Sequence, residues 1–375
     1  MFLLVSATDF ILIYLAIELL SLSSYVLAGF TKLQSRSSEA ALKYLLYGAL
    51  SSGLMLFGIS LIYGLTGSTN LYAINSLIQN PQLNLFTFSF AVILVFVGIG
   101  YKISAAPFHF WTPDVYEGAP ITITAFLSVA SKAAGFALLI RFLKTTFVTS
   151  VNAEGYWQLI NVFDWQSMLI IIAILTMTLG NFSALWQNNL KRMLAYSSIA
   201  HAGYLLLGIA VFSNLGLLAI LVYFSIYMLM NLGAFLVVML IANKIGSEDI
   251  HEYDGIGFTS PFLAISLAIF LVSLTGLPPT AGFIAKLYLF IALVDANMIG
   301  VAVIALLNSV VSLYYYVRIL KHMFLSKPEK EPHTIPSSFV TKLFVLILVI
   351  PVLVFGVYFG PLLDIAKSCL ILLGI

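Results

Sequence analysis

The sequence predicts an all-α, polytopic membrane protein of about ten transmembrane helices, two of them broken, arranged as a five-helix inverted repeat. Three observations carry this. Hydrophobic residues make up 61% of the 375 positions and charged residues 9%, against roughly 45–50% and about 25% in a soluble domain. The apolar residues also run in stretches near the ~20 that cross a bilayer as helix. Finally, two of these stretches, five segments apart, are interrupted by proline beside a lysine.

Ten segments qualify as spans, at 7–30, 41–66, 85–111, 120–143, 167–187, 193–212, 215–242, 261–294, 298–324 and 339–360. Short polar connections or turn residues such as Gly67, Asn80-Pro81 and Asn188-Asn189 separate most of them. The longest hydrophilic stretches, 243–260 and 325–338, are too small to fold alone, so the chain 1–375 reads as one membrane domain. Within it, 1–144 forms an incomplete first repeat, 165–324 a second, and 339–375 a C-terminal helix.

The third span runs Gly100-Tyr101-Lys102-Ile103-Ser104-Ala105-Ala106-Pro107-Phe108-His109, and the eighth Thr275-Gly276-Leu277-Pro278-Pro279-Thr280-Ala281-Gly282-Phe283-Ile284-Ala285-Lys286. Pro107, Pro278 and Pro279 mark the breaks. Proline frees backbone carbonyls, which membrane depth tolerates only against protein or a water-filled cavity. Paired broken helices point to a transporter built from repeats, and an odd number of helices per repeat inverts the second copy.

Taking alternate loops, one side collects Lys32, Arg36, Lys43, Lys191, Arg192, Lys244, Arg318, Lys321, Lys327 and Lys330, while the other has Arg141, Lys144 and Lys367. The first is the cytoplasmic or matrix side, with both termini opposite. The first apolar stretch lacks a basic leader and contains Asp9 and Glu18, so it reads as a retained helix. It begins in mid-pattern at Met1, as expected of a start inside a larger ancestral fold.

Composition excludes several functions. A net charge of +2 with scattered Lys and Arg offers no field for nucleic acid. The one cysteine, Cys369, cannot form an intramolecular disulfide, an iron–sulfur cluster or a thiolate zinc site. No phosphate-cradling glycine loop, zinc-binding histidine pair or Gly-x-Ser-x-Gly elbow occurs, so the chain is not expected to bind NADH or ATP itself.

Charges inside the spans carry the chemistry, because one at a span centre costs about 2.5–3.5 kcal/mol on insertion scales. Glu18 shares a helical face with Tyr14, Ser21 and Tyr25. It is either a proton-carrying carboxylate that tunes a nearby lysine or a structural interhelical hydrogen bond. Lys102, Lys132 and Lys286 form the second group. Lys132 is too far from either end of its span to reach water, so it must be solvated internally. Lysine, unlike arginine, can release its proton when desolvated. Two charges about 7 Å apart at an effective dielectric near 20 interact by about 2.4 kcal/mol, and lifting a proton against about 150 mV costs roughly 3.5 kcal/mol. Making or breaking one Glu–Lys pair is thus of the right order to load or expel a proton.

His109 and His201 could relay protons, since histidine titrates near neutrality, or could be structural. Lys191-Arg192 reads as a positive anchor, Asp9 and Asp295 as interface markers, and Asp114 and Glu117 as caps for the following helix.

The run Lys102-Ile103-Ser104-Ala105-Ala106-Pro107-Phe108-His109-Phe110-Trp111-Thr112-Pro113-Asp114-Val115-Tyr116-Glu117-Gly118-Ala119-Pro120 closely resembles the signature of the antiporter-like subunits of respiratory complex I, specifically subunit N, or subunit 2. Ala130-Ser131-Lys132, the run from Lys191 to Tyr204 and the run from Gly276 to Lys286 extend the resemblance over essentially the whole chain. It implies that Glu18, Lys102, Lys132 and Lys286 match the family's proton-carrying glutamate and three lysines, lining two half-channels joined by a polar axis. Lys286 favours subunit N over subunit M, which has glutamate at that place.

By the same resemblance, NADH, FMN, iron–sulfur clusters and quinone act elsewhere in the complex, with no cofactor or metal bound by this subunit. Implied partners are the antiporter-like M subunit, the small K- and J-type subunits and the lipid bilayer. A bacterial inner membrane is the expected location, a mitochondrial inner membrane the alternative. The resemblance also implies that the chain begins near the end of the family's fourth helix, with N-terminal helices missing. A cation/proton antiporter subunit of the multi-subunit Na⁺/H⁺ type shares the fold and the lysines and is the alternative function.

Overall fold

The computed structural model describes residues 1–80, 83–326, 334–336 and 338–372; Pro81, Lys327 and Lys330 lie outside them. Among the described residues, nine helices are long and apolar enough to cross a membrane. They correspond to the expected spans except the eighth, which is divided between two shorter helices.

The order is α1 (Phe2–Ser6), α2 (Phe10–Ala28), α3 (Ser35–Thr66), α4 (Leu71–Leu77), α5 (Leu85–Ile103) and α6 (Trp111–Gly118). Next, α7 (Ile121–Phe126) and α8 (Lys132–Phe147) form one span joined by a π-helical turn, Leu127–Ser131. A short antiparallel hairpin, β1 (Val148–Val151) and β2 (Trp157–Leu159), follows. The second half holds α9 (Trp165–Leu185), α10 (Leu190–Ala210), α11 (Asn214–Ile245), α12 (Ile256–Thr259), α13 (Pro261–Thr275), α14 (Ala281–Asp295) and α15 (Ile299–Phe324). The C-terminal helices are α16 (Phe339–Val357) and α17 (Gly360–Leu372).

Polar caps set many of the helix starts. Asp9, Asn84, Asp164, Asn189 and Ser213 each accept from a backbone N–H in the first turn of the helix that follows, satisfying donors that have no intrahelical partner. Asp9 also accepts from Thr69 Oγ1 at 2.6 Å, and Asp295 from Tyr156 Oη at 2.7 Å, so both aspartates stand at span ends as expected. The hairpin was not expected; its residues are too few to leave a period-two signal.

Helix α10 is the hub. Its apolar window is 94% buried, against 17% for α16, and it packs on α6, α9, α11 and α14. Polar residues on α10 therefore face protein rather than lipid. At one end of the bundle, Lys43, Asp114, Glu117, Lys191, Arg192 and Glu248 meet in ion pairs. The other end holds α4, the hairpin and the start of α11, tied together by bonds such as Asn75 Nδ2 to the carbonyls of Thr146 and Val148 at 3.0 and 3.1 Å.

Candidate site: buried lysines at the helix breaks

The first break comes where the sequence places it. Helix α5 ends at Ile103; Ser104 adopts a left-handed φ of 62°, and helix resumes only at Trp111. The carbonyl of Tyr101, which takes the Ser104 N–H at 3.1 Å in the closing turn, also accepts from Trp111 Nε1 at 3.0 Å. The second break follows Thr275. Gly276 takes a φ of 87° that side chains other than glycine rarely adopt, and Pro278 and Pro279 cannot donate to a helix ladder.

All three lysines are buried, at 1%, 2% and 4% exposure for Lys102, Lys132 and Lys286, and none has a carboxylate within ion-pair distance among the described residues. Neutral oxygens solvate them instead. Lys102 Nζ donates to Ser21 Oγ of α2 at 3.3 Å. Lys132 Nζ donates to the carbonyl and hydroxyl of Ser198 on α10 at 3.0 and 2.9 Å. Lys286 Nζ reaches back across the second break to the Thr275 carbonyl at 2.6 Å and to Ser309 Oγ at 2.7 Å, and lies over the Tyr204 ring at 4.9 Å from its centroid. The broken end of α13 thus turns a freed carbonyl, the negative pole of a helix, toward the ammonium.

Polar groups fill the space between the lysines. His201 Nδ1 pairs with Tyr223 Oη at 2.8 Å and Nε2 with Tyr316 Oη at 3.5 Å, while Tyr316 Oη meets Ser197 Oγ at 2.5 Å. The charges of Lys286 and Lys132 both act on His201. Tyr204 stacks on Tyr223 at 6.3 Å, continuing the aromatic wall toward Lys286. On the other side, α8 lies against α5 where Gly135 faces Lys102; a Cβ on Gly135 would come to 2.7 Å from Ile103 Cγ2 and 3.5 Å from Lys102 Cγ. Ahead of Lys132, Ser128 in the π-helical turn accepts from Asn231 Nδ2 at 2.7 Å.

Glu18 differs from the other expected residues. It is half-buried and joins no ion pair among the described residues. It faces Lys102 at longer range: its charge acts on Lys102, and Ser21, three residues on, accepts from that lysine. His109 is buried and stacks on Phe110 at 4.6 Å, its Nδ1 without a partner among the described residues, and the charge of Lys132 acts on it.

Asp114 and Glu117 do not cap α7, whose N-cap is Pro120 with no side-chain bond. They clasp Arg192 Nη1 at 2.6 and 2.9 Å, and Asp114 also binds Lys43 at 2.7 Å. Burial pushes the Asp114 carboxyl up, but its bonds to Lys43 and Arg192 outweigh this and hold it below the usual carboxylate range. Lys191 is likewise paired, with Glu248 at 2.8 Å and the Ala119 carbonyl at 3.0 Å, so the expected positive anchor is largely neutralised by its own fold.

Residues 7–312 match the family model described as NADH:quinone oxidoreductase/Mrp antiporter, transmembrane. NADH-quinone oxidoreductase subunit N 2 of Chloroherpeton thalassium is 49% identical over 377 residues, covering 100% of this chain and 73% of the relative. The chain belongs to the antiporter-like subunit N family of NADH:quinone oxidoreductase. Subunit N of Chlorobium chlorochromatii is also 49% identical, across 99% of this chain and 72% of its own length.

Among solved structures, respiratory complex I from Thermus thermophilus aligns with a TM-score of 0.78 at 33% identity, over 96% of this chain and 76% of that one. An archaeal membrane-bound sulfane sulfur reductase aligns with a TM-score of 0.85 at 25% identity, over 97% and 71%. The Mrp complex of Dietzia, at 22% identity and a TM-score of 0.81, shares the fold. The chain is accordingly a multi-pass membrane protein of an oxidoreductase complex, and the relatives covering most of it are bacterial. Ser198, Tyr223, Tyr316, Ser128 and Asn231 joined the site only through the fold. Ser198 stood within a recognised motif, but nothing in the spacing indicated that it solvates a lysine on another helix.

Proposed function

We propose that this chain is a proton-translocating membrane subunit of an NADH:quinone oxidoreductase, moving protons through Glu18, Lys102, Lys132 and Lys286 as electron transfer elsewhere in the complex drives it. The observation that carries the proposal is the burial of Lys102, Lys132 and Lys286 among neutral oxygen acceptors with no counter-ion in contact among the described residues. An ammonium so placed bears a desolvation cost of several kcal/mol that loss of its proton removes. Each lysine is therefore a site whose occupancy a nearby charge can tip, and Glu18 is placed to do so at Lys102.

His201, within the field of both Lys132 and Lys286, relays between them, and His109 is a second relay near Lys132. Ser131 Oγ, Asn231 Oδ1 and His109 Nδ1 are buried without partners among the described residues. Buried polar atoms of this kind bind internal water, which supplies the wire where side chains do not touch. The helix breaks at Pro107 and at Pro278-Pro279 recur in the two proposed repeats, 1–144 and 165–324, with 339–375 as an added C-terminal segment. NADH, FMN, iron–sulfur clusters and quinone are assigned to other subunits, and the subunit itself is proposed to hold no redox centre.

The test compares quinone reduction and proton pumping, side by side, in vesicles bearing the assembled complex with Lys132→Met. Loss of pumping in an intact complex is the expected result. Full redox-driven pumping would reduce Lys132 to a structural role and overturn the route.

A further inference from the structure

On the face opposite the ion-pair network, a recess of about 380 Å³ opens between α1, α4, α8 and the start of α11. Its apolar part is formed by Val5, Ile140, Leu217 and Leu221, and its polar rim by Arg141 and Lys144. Both cations are half-buried on α8, one turn apart, and among the described residues no carboxylate lines the recess. Among the described residues Arg141 has no carboxylate within ion-pair distance. At the other end of the bundle Lys43, Lys191 and Arg192 are each clasped by acids of this chain.

Basic residues are scarce on this side, where Arg141, Lys144 and Lys367 are the three the loop pattern assigns. Two of the three flank one cavity. Like charges one helical turn apart repel, and the end of α8 offsets only part of that through its dipole. Snorkelling to water explains a cation on a convex helix face; it does not explain two of them at the rim of an apolar concavity. The arrangement is complementary to a molecule with an anionic head and a hydrocarbon tail.

We infer that this recess binds an anionic phospholipid of the leaflet opposite the cation-rich side, its phosphate between Arg141 and Lys144 and an acyl chain along Ile140, Leu217 and Leu221. The guanidinium offers paired donors to phosphate oxygens and the ammonium a point charge. Tyr72 and Asn75 of α4 add a phenol and an amide to the lining. This site is independent of the proton route, since it uses none of the residues proposed to carry protons.

The test uses the assembled complex in phosphatidylcholine vesicles containing a photoreactive phosphatidylglycerol or, separately, a photoreactive phosphatidylcholine, with the crosslinked peptides mapped. About tenfold more labelling of residues 137–148 by the anionic probe is expected, given the attraction of two cations for one anionic head. Arg141→Gln with Lys144→Gln should reduce that to the phosphatidylcholine level. Leu221→Trp, which fills the apolar floor and keeps both charges, should lower it as well, and serves if the double variant does not assemble. Equal labelling by the two probes, or undiminished labelling in the variants, would overturn the inference. So would suppression by glycerol 3-phosphate, which would mark a site for a soluble anion, or no labelling by either probe, which would mean that polypeptide fills the recess.

Discussion

Lys132 on α8 is solvated by a single residue of α10: its Nζ donates to both the carbonyl and the hydroxyl of Ser198, at 3.0 and 2.9 Å. One serine thereby supplies two acceptors to a charge in a low-dielectric interior. A hydrogen bond to a charged group is worth about 1.5–3 kcal/mol, where 1.4 kcal/mol is tenfold in an equilibrium. Ser198→Ala, which keeps the carbonyl, is expected to leave the complex assembled and to slow pumping about tenfold. Wild-type pumping in that variant would show that the hydroxyl has no part in proton transfer.

Replacing Lys132 by arginine separates charge from proton transfer. The guanidinium retains the positive charge and can still donate to Ser198, but it does not release a proton near neutral pH. Lys132→Arg should therefore lose most of its pumping, by at least about tenfold, as Lys132→Met does. If arginine supports pumping where methionine does not, Lys132 acts as a fixed charge and not as a carrier.

Glu18 should be sensitive to charge more than to shape. Because it faces Lys102 through its field and makes no ion pair there, Glu18→Asp should retain most activity, while Glu18→Gln should lose it. Two unit charges about 7 Å apart at an effective dielectric near 20 interact by roughly 2 kcal/mol, which sets the order of the largest expected loss. Equal activity of the two variants, measured as pumping per quinone reduced, would exclude an electrostatic role.

At the second break, Gly276 is constrained twice. Its φ is 87°, and an added Cβ would lie 2.7 Å from Lys286 Cδ. Gly276→Ala should cost about 1–2 kcal/mol from the left-handed conformation alone and displace the ammonium from the Thr275 carbonyl. Lower thermal stability and slower pumping should appear together. A stable variant that pumps normally would show that the turn tolerates alanine.

The Asp114 cluster predicts a pH dependence. Its carboxyl is held below the usual range by Lys43 and Arg192 against the opposing effect of burial, so the folded state binds the proton less well than the unfolded chain. The stabilisation is complete above the unfolded value of about 3.9 and is lost as pH falls through the lower folded value. Thermal denaturation should show wild type exceeding Asp114→Asn by on the order of 1 kcal/mol at pH 7 and 5, with the gap closing below about pH 4. A gap that persists under acid would place the stabilisation elsewhere.

Much of the candidate site was legible because cost reveals it. A lysine in a membrane span stands out in any hydropathy pattern, as does a proline beside it, so Lys102, Lys132, Lys286 and both breaks could be found without coordinates. The serines and tyrosines that solvate them carry no such signal. Ser198 or Tyr316 at a buried helix face costs little and resembles packing until a partner on another helix is known. The sequence points Asp114 and Glu117 to the nearest helix start, because sequence proximity is visible in it and a partner at position 192 is not.

The sequence alone determined that the chain lives in lipid, about where its spans run and where two of them break, and which charges must be sheltered there. These follow from local rules: apolar length, caps, proline geometry and the cost of an intramembrane charge. Only the tertiary structure decided that α10 is the buried hub, that Ser198 and the Thr275 carbonyl receive two of the lysines, that Glu18 faces Lys102 without touching it, and that Arg141 and Lys144 share a recess. Each of those depends on which helix lies against which. That is settled by side-chain packing summed over the whole bundle, for which a single span carries no readable signal.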